Sequence, residues 1–304
     1  MRLRSGTGRR TRISSTVPAA LLLLTGAFAD REAVADAFPD ASADVSFDAV
    51  LSLPSDDPDQ VISYGTSPSQ FVELWRVANP VGKTPVVAFI HGGCWLSEYS
   101  IDHSHPLATA LIHEGFAVWN IEYRRAGETG GGFPASLDDV RAALAMLRDS
   151  PPPGLDPHRM VVAGHSAGGH LALLAAGGTP TIALAPIVDI ADYARGSGSC
   201  NAGALAFMGA APEQKPEAYR AATPALRASD TVLMGALDRI VPPQAALLPP
   251  AVKKWPDAGH FDWIHPGTPA WKLWLSVLRS TLECRPSDSD PGDQTWPTSR
   301  AHCP

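Results

Sequence analysis

The sequence has few positive charges and no long apolar run beyond its first residues. Its 304 residues carry 24 Lys and Arg against 31 Asp and Glu, which gives a formal net charge of −7. An acidic chain does not present the basic face that nucleic acid requires, so no nucleic-acid partner is expected. No stretch after residue 29 supplies the roughly 20 apolar residues of a membrane span. The chain also lacks internal repeats and blocks of like charge, which argues against charged interaction tails.

The first 29 residues have the composition of an export signal. Their basic start contains no acidic residue and holds five arginines, namely Arg2, Arg4, Arg9, Arg10 and Arg12. The apolar run VPAALLLLTGAFA follows, and Ala27-Phe28-Ala29 offers a small-x-small cleavage site before Asp30. We expect a signal peptide at 1–29 and a secreted mature chain with a net charge of −12. The alternatives are the twin-arginine route, suggested by Arg9-Arg10, and an uncleaved anchor.

The rest of the chain alternates apolar, β-branched segments with helical patterns, which is typical of a parallel sheet with crossover helices. Strands are predicted at 71–78, 85–91, 116–123, 159–165, 181–188, 230–237 and 251–256. Helices are predicted near 106–114, 137–149, 167–177, 213–222 and 269–283, the second with Ser136 and Asp139 as a capping box. We expect one domain over 30–304, in which 30–60 wraps the surface, 191–228 forms a small cap-like segment and 286–304 is an irregular tail.

One junction between a strand and a helix carries the sequence GHSAG, with Ser166 at its centre. A Gly-x-Ser-x-Gly turn is sharp, needs glycine where side chains would collide with backbone, and lifts the serine hydroxyl above the sheet. This presentation indicates a nucleophile. The alternatives are an ordinary glycine-rich loop and a phosphate site, although His170 stands where a phosphate-binding loop has its lysine.

A nucleophilic serine needs a base and an acid that orients the base, in the chain order Ser, acid, His for this kind of sheet. Asp238 follows an apolar strand and is the predicted acid, whereas Asp189 also ends a strand but not the expected one. His260 lies in the loop before the last helix and is the predicted base. His265 is the nearest alternative, with a role at the rim or in capping the helix.

The segment His91-Gly92-Gly93-Cys94-Trp95 follows an earlier strand and suits an oxyanion hole. We expect backbone N–H donors from Gly93, Cys94 and Ala167. His91 is expected to hold this loop by hydrogen bonds, and His165 and His170 to be packing residues. Trp95 is assigned to the substrate pocket, with core packing as an equal alternative.

Together these motifs resemble the α/β-hydrolase superfamily, and more closely its carboxylesterases and kynurenine formamidase-like hydrolases. The resemblance spans about 62–283 and includes ISYGTSPSQFVELWRV, the HGG loop, GHSAGGHLA and GHFDWIHPGTPAW. It implies an α/β-hydrolase fold, a mostly parallel twisted sheet with helices on both faces, and a Ser166–Asp238–His260 triad. Relatives usually have Tyr or Gly where this chain has Cys94, which affects the pocket rather than the backbone donor.

These features predict a secreted serine esterase that acts on a small-molecule ester through an acyl-enzyme, without a metal or organic cofactor. The alternatives are an aryl-formamidase or other amidase, an exopeptidase, and an inactive binding module on the same fold. No propeller-sized domain precedes the core, which argues against the exopeptidase.

Four cysteines in an exported chain predict two disulfides. Cys284 and Cys303 bracket the irregular tail, and a bond between them would tie it to the last helix. Cys94 and Cys200 are both expected at the carboxyl edge of the sheet, where a bridge could cross the mouth of the site. The alternative is a small buried side chain at Cys94 and a free thiol at Cys200.

Overall fold

The alternating pattern folds into one central sheet in the computed structural model, which describes residues 38–243 and 257–283 and the backbone of 253–255. Within these ranges the sheet has eight strands: β1 (Gln60–Ser63), β2 (Phe71–Trp75), β3 (Thr84–Ile90), β4 (Ala117–Ile121), β5 (Leu155–His165), β6 (Thr181–Leu184), β7 (Asp230–Gly235) and β8 (Lys253–Trp255). Their order is β1-β2-β4-β3-β5-β6-β7-β8. The first two strands are antiparallel to their neighbours, and the other six pair in parallel.

The inner strands are apolar because both of their faces are covered. Every residue of β4 and β6 is buried. By contrast, β1 lies at an edge of the sheet and has no fully buried residue. Parallel pairing brings the carboxyl ends of β3, β5, β6 and β7 to one edge, which is where such sheets bind ligands.

Eight α-helices lie in the described ranges: α1 (Phe47–Leu51), α2 (His105–His113), α3 (Ala135–Asp149), α4 (Ala167–Ala175), α5 (Ile190–Tyr193), α6 (Ser199–Met208), α7 (Pro216–Ala221) and α8 (Pro269–Glu283). In α8 the apolar residues recur every three or four positions and are all buried: Trp271, Trp274, Leu275 and Leu278. No helix in the described part of the chain combines the length and apolar character of a membrane span.

The predicted strands and helices are present, with ends that differ by a few residues. The helix α6 lies within a stretch expected to be a loop or small cap. Its sequence is rich in small residues and lacks a strong apolar stripe, and the helix is stabilised by burial of Gly203, Ala204, Phe207 and Met208. The helix α1 and strand β1 were also not predicted, because five and four residues are too short for a periodic signal.

The predicted capping box at Ser136 and Asp139 is wrong. The helix α3 starts at Ala135, so Ser136 lies inside it, and its hydroxyl donates to the carbonyl oxygen of Arg124 at 2.5 Å. Asp139 accepts from the Arg124 guanidinium at 2.7 and 2.8 Å. Both side chains therefore fix the chain after β4 rather than cap the helix.

Some predictions lie outside the described residues. These are the signal peptide at 1–29, the irregular tail at 286–304, and the pairing of Cys284 with Cys303.

Candidate active site

Ser166 lies between the last residue of β5 and the first residue of α4. Its φ of 56° and ψ of −120° are a strained combination for a residue with a side chain. A Cβ at Gly164 would overlap the carbonyl oxygen of Gly168, and a Cβ at Gly168 would overlap those of Ile90 and His91. The two glycines therefore allow the close approach of α4 to the strands that the sharp turn requires, as the GHSAG motif predicts.

Asp238 and His260 are bonded to each other. The Nδ1 atom of His260 lies 2.7 Å from Oδ2 of Asp238, and both residues are buried. The other oxygen of Asp238 accepts the backbone N–H groups of Ile240 and Val241 at 2.9 and 2.8 Å. Because a carboxylate only accepts, this bond assigns the proton to Nδ1 and leaves Nε2 of the neutral ring as the basic nitrogen.

The two alternative residues have other roles. Asp189 precedes α5, and its side chain accepts the N–H of Asp192 at 2.8 Å, which makes it a helix cap. His265 is buried, and its Nδ1 accepts the N–H of Gly267 at 3.2 Å within a turn. Neither lines the pocket that contains Ser166 and His260.

A cavity of about 270 Å³ lies at the carboxyl edge of the sheet, and of the predicted site residues Ser166, His260, Gly93, Cys94 and Cys200 line it, whereas Asp238, Ala167 and Trp95 do not. Its lining residues come from at least six separate segments of the chain: Phe47, Gly93, Cys94, Tyr99, His103, His165, Ser166, Tyr193, Gly198, Ser199, Cys200, Asn201, Arg239, Ile240, His260 and Phe261. The stretch predicted as a cap contributes to one wall through Tyr193 and the start of α6. The sequence did not identify Phe47, Tyr99 or Phe261 as lining residues. Phe47 and Tyr99 belong to segments without a motif, and no pattern shows which way the Phe261 side chain points from the loop that carries His260.

The loop after β3 lines the same cavity. Gly93, Cys94 and Trp95 have successive positive φ angles of 100°, 55° and 59°. Cys94 is bonded to Cys200 at the start of α6, with their Cα atoms 5.0 Å apart, so the predicted bridge is present. Ala167, directly after Ser166, is the first residue of α4, where an N–H has no acceptor within its own helix.

The assignment of Trp95 to the substrate pocket is wrong. Its ring is fully buried, stacked on Phe207 with centroids 5.0 Å apart, and edge-on to His170 at 5.2 Å. The alternative of core packing is correct. The loop turns the Trp95 side chain inward, away from the cavity, and thereby anchors the residues beside it.

A buried ion pair beneath this loop was not predicted. Nε2 of His91 lies 2.8 Å from Oε1 of Glu122, whose other oxygen accepts the N–H of Ile101 at 3.0 Å and contacts Arg125 at 3.1 Å. Burial by itself raises the pKa of Glu122, but the charge and hydrogen bond of His91 and the charge of Arg125 outweigh it and lower that pKa. His91 therefore holds the loop by hydrogen bonds, as expected.

Three other histidines near the site are buried. Burial lowers the pKa of His170 to about 4, and burial together with the charge of His91 lowers that of His103 to about 3. Burial and the neighbouring His260 also lower the pKa of His165 well below its usual value. These rings are neutral at neutral pH, and His165 and His170 pack as expected, with Nε2 bonded to the carbonyl oxygens of His260 and Ala222.

Within the described ranges no group of three or more His, Cys, Asp or Glu side chains is arranged to hold a metal ion.

Known proteins that are similar to this chain include esterases. Residues 73–184 match the family model BD-FAE. Esterase LipC of Mycobacterium tuberculosis is 33% identical over 116 residues, which are 38% of this chain and 28% of that protein. An acetyl-hydrolase of Streptomyces hygroscopicus is 27% identical over 256 residues, 74% of this chain and 82% of that one. The chain thus spans less than a third of the length of its mycobacterial relative.

Solved structures share the fold. Esterase B from Lactobacillus Rhamnosis superposes with a TM-score of 0.63 at 20% identity, over 77% of this chain and 89% of that one. At this identity the similarity concerns the fold, an α/β-hydrolase sheet with its crossover helices.

Proposed function

We propose that this chain, which has the α/β-hydrolase fold, is a carboxylic-ester hydrolase with Ser166 as nucleophile, His260 as general base and Asp238 as the acid that orients the base. The observation that carries the proposal is the 2.7 Å bond from His260 Nδ1 to Asp238, made by a histidine that shares its pocket with the elbow serine. The relatives named esterase and acetyl-hydrolase support the same reaction class.

In the proposed mechanism the Ser166 hydroxyl attacks the ester carbonyl carbon while His260 Nε2 accepts its proton. Asp238 stabilises the imidazolium that results. The carbonyl oxygen gains the negative charge and accepts from the backbone N–H groups of Gly93, Cys94 and Ala167, each worth about 3 kcal/mol of the barrier.

The tetrahedral intermediate then collapses. The bond to the alcohol oxygen breaks, His260 returns the proton to that oxygen, and the acyl group stays on Ser166. Water attacks the acyl-enzyme with His260 again as base, which releases the acid and restores the serine.

We also propose that the protein is exported. The basic and apolar pattern of residues 1–29 and the Cys94–Cys200 disulfide are both typical of exported chains. Amino-terminal sequencing of the protein from the producing cells tests this, and a mature chain that begins at Asp30 is the expected result.

The reaction is tested by labelling the folded protein with a fluorophosphonate, which reacts with activated serines. We expect labelling at Ser166, none in Ser166→Ala, and normal labelling in the control Ser276→Ala on the exposed face of α8. An unlabelled Ser166 in the folded protein would indicate a binding module. A panel of p-nitrophenyl esters, an N-formyl arylamine and peptides separates the remaining classes, because an esterase turns over the esters best.

A further inference from the structure

The segment that precedes the sheet is bonded to the loop that carries His260. The carboxylate of Asp262, two residues after His260, is buried and accepts three backbone N–H groups. Oδ1 accepts from Val45 at 2.8 Å, and Oδ2 accepts from Asp44 and from Gly259 at 2.8 Å each. One side chain thus fixes the His260 loop and residues 44–45 at the same time.

Other contacts show that this junction is closely fitted. The N–H of Ala41 donates to the carbonyl oxygen of Gly267 at 3.0 Å. A Cβ at Gly259 would lie 2.6 Å from Oδ1 of Asp44, which is closer than side chains pack. The leading segment, defined here as residues 38–47, therefore needs glycine directly before His260.

This junction places the aromatic ring of Phe47 at the active-site cavity. Ser46 caps the short helix α1 with its hydroxyl, so Phe47 follows the bonded residues directly. The ring of Phe47 lies 5.3 Å from Phe261 and 5.5 Å from His103 between centroids, and it lines the cavity with Ser166 and His260. Leu51, at the other end of the same helix, is exposed and does not line the cavity.

We propose that the leading segment is a working part of the active site, in which Phe47 determines specificity by packing against an apolar group of the ester and Asp262 is a positioning residue for His260. Phe47, Phe261 and Ile240 offer that group an apolar wall. Arg239, the one cationic side chain among the described lining residues, points largely into solvent and pairs with Asp44. The inference rests on the proposed function and names the substrate class of the same site.

The specificity role is tested with Phe47→Ala and the matched control Leu51→Ala. kcat/KM is measured for p-nitrophenyl esters of increasing acyl length and for acetates of increasing alcohol size. We expect Phe47→Ala to lower the ratio of kcat/KM for the largest substrate to kcat/KM for the smallest about tenfold in one of the two series, mainly through KM. A change of about tenfold is what the loss of one ring contact predicts. Leu51→Ala should keep the wild-type ratio.

The positioning role is tested with Asp262→Asn, because the asparagine amide would direct a donor at backbone N–H groups. The control is Asp138→Asn, which removes an exposed ion pair with Arg141 on α3. We expect Asp262→Asn to lower kcat and the rate of fluorophosphonate labelling at least tenfold with little change in KM. Amide exchange at Asp44, Val45 and Gly259 should quicken in Asp262→Asn, and the Asp138 variant should match wild type in kcat, labelling rate and amide exchange.

The outcomes separate this inference from the proposed function. A wild-type protein that neither hydrolyses esters nor reacts with the fluorophosphonate refutes the function, while the amide exchange still tests the junction. An active wild type whose Phe47→Ala variant keeps the substrate ratio in both series refutes the specificity role. Unchanged kcat and labelling rate in Asp262→Asn, even with lowered thermal stability, refutes the positioning role.

Discussion

At the scale of single residues, the two carboxylate oxygens of Asp238 make different contacts. Asp238 holds its own loop with Oδ1 through two backbone N–H groups and holds His260 with Oδ2. The loop bonds keep the carboxylate from turning, so the imidazole cannot rotate without losing a charge-assisted hydrogen bond. Replacement of one oxygen by an NH₂ group disturbs this arrangement with little change in volume.

We expect Asp238→Asn to lower kcat about 10⁴-fold, because an amide that donates to Nδ1 moves the imidazole proton to Nε2 and removes the base. The matched control is Asp189→Asn, where asparagine caps a helix as well as aspartate does. Steady-state kinetics on one ester checks both variants. A loss of less than about tenfold in Asp238→Asn would rule out this acid.

At the scale of elements, the turn between β5 and α4 places the serine by bringing a helix close to neighbouring strands. Gly168 lies against the carbonyl oxygens of Ile90 and His91 at the end of β3. The turn therefore depends on packing across two strands as well as on its own backbone angles. These packing contacts keep the backbone of Ser166 in its strained conformation.

We expect Gly168→Ala to lower the free energy of unfolding by about 3 kcal/mol or more, because the added methyl group meets backbone that cannot move aside. The control Gly82→Ala has open space around its Cβ and should lose only about 1 kcal/mol for its positive φ. Urea unfolding measures both variants. Equal losses would show that the close approach of α4 does not limit stability.

The loop after β3 is a second element, held from outside by the bridge to α6. We expect replacement of both Cys94 and Cys200 by alanine to lower kcat about tenfold, less than the loss of an oxyanion donor. The bridge spans a sequence separation of 106 residues, so the chain-entropy model also predicts a loss of stability of up to about 5 kcal/mol. Kinetics well below the unfolding temperature separates the two effects, and an unchanged kcat would mean that the loop keeps its shape unaided.

At the scale of the whole molecule, buried histidines couple stability to pH. The pKa values of His103, His165 and His170 are lowered mainly by burial, so below the ordinary value of about 6.5 the unfolded chain binds protons that the native state does not. The stability that these neutral, buried rings contribute is fully present above that pH and is lost as the pH falls. His105 acts in the opposite sense, because its bond to Glu73 outweighs burial and raises its pKa.

We expect the free energy of unfolding to fall as the pH is lowered from 6.5 toward 4, and His170→Gln to reduce this slope by up to about 1.4 kcal/mol per pH unit, the value for one proton. The control Leu171→Ala, at the next position of α4, should lose stability at every pH without a change of slope. Urea unfolding at pH 7.5, 6.0 and 5.0 provides the comparison. Equal slopes in His170→Gln and wild type would refute the coupling.

The sequence by itself determined most of the strands and helices, the serine turn and the positions of Asp238 and His260 after strands of the sheet. These features follow from local periodicity and from the rule that parallel strands end at one edge, so neighbouring residues suffice to read them.

Only the tertiary structure decided which way each remaining side chain faces. Trp95 directly follows Cys94 in sequence, yet it packs on Phe207 of α6, a helix whose small residues give no strong apolar pattern. No sequence pattern singles out Glu122, Asp262 or Phe47, and their contacts are with partners far along the chain. Whether a side chain is buried depends on all the segments that pack around it, and only the complete fold brings those segments together.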